Sequence, residues 1–210
     1  MEHVMENNKV VVAGTVHTPL IYSHEMFGEN FYNFDLAVPR LSDYVDVLPI
    51  TISERLMGDI ELKPGTEVVI EGQFRSYNKF IDGKNRLILT VFTRDIYPKQ
   101  DNIKNPNQIY LNGFICKEPV YRTTPFNREI TDILLAVNRA YGKSDYIPTI
   151  AWGRNARFSQ HLKVGDNIKI WGRIQSRIYQ KKLPDGEVVE KMAYEVSISK
   201  MAVVENNNNP

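Results

Sequence analysis

The sequence predicts an all-β chain made of two copies of one five-stranded barrel, each copy carrying one short helix. Three observations support this. Segments recur at a fixed offset, β-branched runs alternate with turn residues, and each copy has a single stretch that opens with a helix-capping residue.

The repeat comes first. Asn8-Lys9-Val10-Val11-Val12-Ala13-Gly14 aligns with Asn107-Gln108-Ile109-Tyr110-Leu111-Asn112-Gly113, an offset of 99. The same offset sets Leu36-Ala37-Val38-Pro39-Arg40 on Leu135-Ala136-Val137-Asn138-Arg139, and Pro49 on Pro148. After one residue of slippage, Leu62-Lys63-Pro64-Gly65 meets Leu162-Lys163-Val164-Gly165, Gly72 meets Gly172 and Ser76 meets Ser176. Anchors kept in order over about ninety residues identify a duplication.

Each copy then reads as follows. Val10, Val11 and Val12 form a β-branched strand stopped by Gly14, and Phe34 to Val38 forms the next apolar segment. Ser53 is placed to cap a helix over 54–61, with 155–162 as its equivalent. Glu67 to Gly72 alternates polar and apolar residues, as does Asn167 to Gly172; Trp171 is the tryptophan expected in the core, although its alternation with Ile168 and Ile170 leaves its face open. Asp82-Gly83 and Asp185-Gly186 mark hairpins. Five strands with a helix between the third and fourth is the order of an OB-fold barrel. The expected organisation is a first OB domain over 1–98, a linker over 99–106, a second OB domain over 107–205 and a disordered asparagine-rich tail over 206–210.

Composition removes other classes. Cys116 is the only cysteine, which excludes an intrachain disulfide framework and a four-cysteine zinc site; in Phe114-Ile115-Cys116 it reads as a small buried hydrophobe. The histidines at 3, 17, 24 and 161 lack metal-ligand spacing. No glycine-rich phosphate loop precedes a helix and no Gly-x-Ser-x-Gly elbow occurs. Neither an enzyme nor a cofactor is expected. The start of the chain shows no secretory pattern and no apolar run is long enough to span a bilayer, so the expectation is a cytoplasmic protein.

Charge is unevenly divided. Residues 1–104 hold 11 Lys+Arg and 15 Asp+Glu, a net of −4, whereas 105–210 hold 15 and 10, a net of +5. A positive half suits a polyphosphate, because neutralised phosphates release counterions.

Asn-Lys-Val near the start, the run Leu-Lys-Pro-Gly-Thr-Glu-Val-Val-Ile-Glu-Gly-Gln-Phe-Arg at 62–75 and the Asp-Gly turn after it resemble the bacterial single-stranded DNA-binding protein family. The resemblance spans 8–98 and 107–204. It implies OB domains that hold single-stranded DNA without strong sequence preference, stacking bases on aromatic side chains. The stacking positions are Tyr141, Tyr146, Trp152 and Tyr179 in the second copy, against Ser42, Val47, Ser53 and Lys79 in the first. Tyr44, Tyr77, Lys79 and Phe80 form a secondary set in copy one. Phosphate contacts are expected from Arg122, Arg139, Lys143, Arg154, Arg157, Arg177, Lys181 and Lys182. Trp152 also admits a core reading, tryptophan being mostly buried.

The resemblance further implies a role in DNA replication, recombination or repair. It implies a homodimer presenting four barrels, with the exposed first strands as pairing edges. Family members commonly end in an acidic tip that recruits replication and repair enzymes; only Glu205 is acidic here, so recruitment through such a tip is not expected. Two alternatives stay open. One is a primosome- or recombination-type OB adaptor whose main role is protein–protein interaction; the other is an accessory domain of a nucleic-acid enzyme.

Overall fold

The computed structural model describes residues 6–81, 83–100, 103–183 and 186–205. The first repeat contains β1 (Asn8–Val16), β2 (Ile21–Met26), β3 (Glu29–Pro39), β4 (Val45–Ser53), α1 (Glu54–Met57), β5 (Glu67–Ile81) and β6 (Lys84–Pro98). The second contains β7 (Asn107–Ile115), β8 (Val120–Thr123), β9 (Glu129–Asn138), β10 (Ser144–Trp152), α2 (Arg154–Ser159), β11 (Asn167–Lys182) and β12 (Val188–Val203). Both repeats are OB folds, with one addition to the expected order. A short strand, β2 or β8, folds back on the strand that follows it.

Each barrel closes in the same two ways. β1 pairs with β3 at Thr15↔Ala37 and β7 with β9 at Phe114↔Ala136. The last strand runs parallel to the fourth, at Ile50↔Val91 and Thr149↔Val196. Alternation along the strands sends Val10, Val12, Leu36, Ile50, Ile70 and Phe74 inward in the first barrel, and Ile109, Leu111, Leu135, Ile147, Ile168 and Ile174 in the second. Phe74 is fully buried, and truncating such a side chain to alanine costs about 3–5 kcal/mol. Gly72 and Gly172 sit at matching bulges, where a Cβ would lie 2.2 Å from Phe92 O and 2.0 Å from Ser197 O. That close approach explains why both copies keep glycine there.

Several expectations need correction. Ser53 does cap α1, its hydroxyl accepting from Arg55 N at 3.2 Å. The helix ends at Met57, not at 61, because Gly58 turns to φ 52. α2 starts at Arg154 behind Gly153, also at positive φ, and ends at Ser159, not 162. Trp171 is not a core residue. It is half-buried on the outer face, its ring 5.3 Å from that of Tyr110 with Lys200 Nζ 5.0 Å above it. Cys116 is also half-buried, its thiol 3.3 Å from Leu134 O, and burial pushes its pKa up. Gly83 and Gly186 adopt positive φ at the two long hairpins; Asp82, Asp185 and the 206–210 tail lie outside the described residues.

The largest difference concerns the first strands. β1 and β7 pair antiparallel with each other, Asn8↔Leu111 through Val12↔Asn107, joining both repeats in one twelve-stranded sheet. They therefore have no free edge for another chain. The outer edges are β2 and β8. The junction has pseudo-two-fold symmetry. Asn8 bridges Phe74, donating to its O at 2.8 Å and accepting from its N at 2.9 Å; Asn107 does the same to Ile174 at 2.7 and 2.9 Å. Across the axis, Asp46 accepts from Ser176 N and Asp145 from Ser76 N, at 2.8 and 2.7 Å.

Candidate nucleic-acid interface

Residues two apart on a strand share a face, so Tyr146, Pro148, Ile150 and Trp152 line one side of β10. Tyr146 and Trp152 stand six residues apart, roughly 20 Å along the strand. Both remain open to solvent, at 45% and 37% exposure. Tyr179 on β11 is 36% exposed, with the Arg177 guanidinium 5.9 Å from its ring. Tyr141 is 89% exposed at a 3₁₀ turn (Ala140–Gly142), in the left-handed region at φ 61. None of the four rings is packed inside the barrel.

Beside Trp152 runs a groove of about 700 Å³, floored by Ile130 and Ile150 and edged by Arg122, Arg128, Arg173 and Arg177. Its other wall comes from the first repeat: Arg40, Tyr44, Val45 and Val47. Tyr44 is 72% exposed and lies 5.7 Å from the Arg40 guanidinium. The pairing of β1 with β7 accounts for this, since the pseudo-two-fold axis swings the start of β4 across the second barrel. The exchange is mutual. Tyr146 N donates to Ser76 Oγ at 2.7 Å, and Arg139 lines a smaller groove on the first repeat beside Arg75, Tyr77 and Lys79. One face of β4 therefore passes from the second groove, at Val45 and Val47, to the first, at Thr51.

The expected phosphate-binding cations fall into two groups. Some are tied down. Arg122 donates to Asp132 at 2.8 Å, which raises its pKa; Arg177 lies 3.7 Å from Glu195 and Arg157 pairs with Glu129. Arg139 Nε lies 3.2 Å from Asp145 Oδ2, but the alignment leaves both atoms without a hydrogen bond. Lys143, Arg154, Lys181 and Lys182 are exposed, and no ion pair forms on them among the described residues. Phe80 is 71% exposed on β5 and Tyr77 44%, with burial raising the pKa of the Tyr77 hydroxyl.

Sequence reasoning missed four groove arginines, Arg40, Arg75, Arg128 and Arg173. The signal for Arg40 was available, because the 99-residue offset places it on Arg139. Arg40 makes two hydrogen bonds to the fully buried Asp46, at 2.8 and 2.7 Å, and Arg173 adds a third cationic contact at 3.5 Å. Asp145, equally buried, has Arg139 3.2 Å away and accepts from the Ser76 amide, with the Arg75 charge also nearby. Burial raises its carboxyl pKa, while Ser76 N and the Arg139 and Arg75 charges pull it down.

Residues 106–204 match the Single-strand binding protein family. Single-stranded DNA-binding protein 1 of Staphylococcus aureus is 32% identical over 83 residues, which are 36% of this chain and 50% of that protein. The chain thus spans about half the length of the curated relatives it matches. The wild-type single-stranded DNA binding protein from Thermus aquaticus superposes at a TM-score of 0.75 with 19% identity, covering 97% of this chain and 95% of that one, which shows the shared fold. The N-terminal domain of PriB protein from Thermoanaerobacter tencongensis, solved as a dimeric structure, is 55% identical; it covers 46% of this chain and 100% of its own, at a TM-score of 0.40.

Proposed function

We propose that this chain, which belongs to the bacterial single-stranded DNA-binding protein family, holds single-stranded DNA without sequence preference on a surface that both repeats build. The observation that carries this reading is the groove in which Trp152 of the second repeat and Tyr44 of the first line one channel with Arg128 and Arg177. Every base has a π-face, so exposed rings bind any sequence, each stacked base contributing roughly 1–3 kcal/mol. Along β10 the aromatic face continues from Trp152 to Tyr146, at the border of the first groove. A strand laid on it passes both barrels.

The cations divide the work. Arg40 and Arg122 are held by Asp46 and Asp132, and so present their remaining donors from fixed positions. Lys143, Arg154, Lys181 and Lys182 are free to follow the phosphates. The second repeat leads, since all four stacking residues belong to it. The role that follows is coating unpaired strands during replication, recombination or repair. With β1 and β7 already paired, a homodimer with four barrels forms through other surfaces; a solution mass near twice 24.2 kDa would support it and a monomer would reject it.

Titration of intrinsic fluorescence with poly-dT tests the reading. Trp152 emission is expected to quench on binding, and Trp152→Phe to lose the quench while keeping most of the affinity. Quenching that survives in Trp152→Phe would move the site to Trp171, on the outer face.

A further inference from the structure

The groove on the first repeat is built on different chemistry from its counterpart. Its volume is about 420 Å³, within the roughly 300–1,000 Å³ of small-molecule sites. Arg75, Lys79 and Arg139 line it with Tyr77, and among the described residues no carboxylate does. Arg75 is half-buried. Its Nε and Nη2 share the neutral Oε1 of Gln73, at 3.2 and 2.9 Å, and Arg94 reaches the same oxygen at 3.4 Å. Among the described residues neither Arg75 nor Lys79 is in an ion pair.

A stack of rings fixes the guanidinium instead. Arg75 lies 3.9 Å from the centre of Phe92, Phe92 stacks on Phe31 at 5.8 Å, and Phe31 on His24 at 4.9 Å and 4°. The Arg75 charge is thereby placed without a counter-ion. Burial, with Arg94 and Arg139 nearby, lowers its pKa to about 10. In the second groove four of the five arginines, Arg40, Arg122, Arg173 and Arg177, have carboxylate partners, Arg128 being the exception among the described residues. The positions equivalent to Arg75 and Thr90 hold Gln175 and Glu195, bonded to each other at 2.7 Å.

We propose that the first groove is a binding site for a phosphate monoester, with Arg75, Arg139 and Lys79 as its cationic donors and Tyr77 as the ring beside the attached base. Three cations face one buried carboxylate, Asp145, which leaves an excess of two positive charges. An internal phosphodiester supplies one negative charge; a monoester supplies about 1.5–2 near neutral pH. Such a group comes either from the phosphorylated end of a DNA strand or from a free nucleotide. The proposal rests on the single-strand reading for the first source alone.

Two titrations of the full chain test it. In the first, dTMP and thymidine are compared by calorimetry. In the second, internally labelled dT oligonucleotides ending in a 5′-phosphate, a 3′-phosphate or hydroxyls only are compared by anisotropy. Native protein is expected to bind dTMP but not thymidine, and phosphate-ended strands more tightly than hydroxyl-ended ones. Arg75→Gln, which copies Gln175, should weaken dTMP about tenfold or more and close the gap between strand ends. Lys79→Ala, on an exposed side chain, should shift the same readouts in the same direction and carries the test should Arg75→Gln fold poorly. Binding of dTMP without end preference supports the site with a nucleotide as ligand; end preference alone supports it with a strand end. Neither effect in native protein that still binds hydroxyl-ended strands overturns the proposal and leaves the single-strand reading intact. Loss of hydroxyl-ended binding itself strikes that reading instead.

Discussion

Ser53 and Trp152 occupy the same place in the two barrels, as do Arg75 and Gln175, and Thr90 and Glu195. Where the first repeat has a helix cap, the second has an exposed ring. Where the first has an uncompensated guanidinium, the second has an amide bonded to a carboxylate. The net charges of −4 and +5 over the two halves do not describe these grooves. The cation-rich groove, lined by no carboxylate among the described residues, lies on the repeat with the negative total. Duplication also lets each groove take an arginine from the other repeat, Arg40 in one direction and Arg139 in the other. Their anchors are unequal. Asp46 is held by two arginines and the Ser176 amide, Asp145 by one arginine and the Ser76 amide.

That inequality gives the largest expected effect. Removing one partner of a buried ion pair costs about 3–5 kcal/mol. Asp46→Ala is expected near the lower end, because Arg40 and Arg173 are 24% and 37% exposed and recover some hydration. Urea unfolding measures it, and Asp145→Ala should cost clearly less. Equal losses would break the comparison and make the two latches equivalent.

Binding gives the next effect. Trp152→Ala should weaken single-strand binding by about 1–3 kcal/mol with little change in the urea midpoint, since the ring is exposed at the end of β10. Loss of folding with intact binding would restore the core reading of Trp152. Tyr44→Ala comes third, at about 0.5–1 kcal/mol for an exposed ring paired with a cation. An anisotropy titration that gives Tyr44→Ala no effect would confine the interface to the second repeat.

Much of the fold was legible because packing leaves a periodic trace. The alternations at 67–72 and 167–172 fall on strands as expected, and the matching glycines at 72 and 172 mark bulges that the sequence did not announce. α1 was over-extended because nothing in its apolar pattern marks Gly58 as a positive-φ stop, and α2 because nothing in its pattern marks an end at Ser159. The candidate site was legible ring by ring, but its assembly was not. Which arginines end beside which groove depends on β1 meeting β7, a contact between strands about a hundred residues apart in which each side alone looks like an ordinary edge. The secondary set at Tyr44 was assigned to the first barrel for that reason, although its ring lines the second groove.

The smallest expected effect is a pH dependence at Asp145. Burial raises the pKa of this carboxyl in the folded state, with Ser76 N and Arg139 opposing. In the unfolded chain an aspartate titrates near about 3.9. Between the two values the folded state holds more of the proton than the unfolded state, so stability contributed by this group falls as pH rises through that window and then levels off. Asparagine keeps an oxygen to accept from Ser76 N and does not titrate. The urea midpoint of Asp145→Asn, less that of the native protein, should therefore increase from about pH 4 upward and flatten once the buried carboxyl has ionised. A difference that shrinks with rising pH would mean that Arg139 stabilises the carboxylate more than burial disfavours it. The junction would then carry two equivalent ion-pair latches, and the contrast drawn between Asp46 and Asp145 would fail with it.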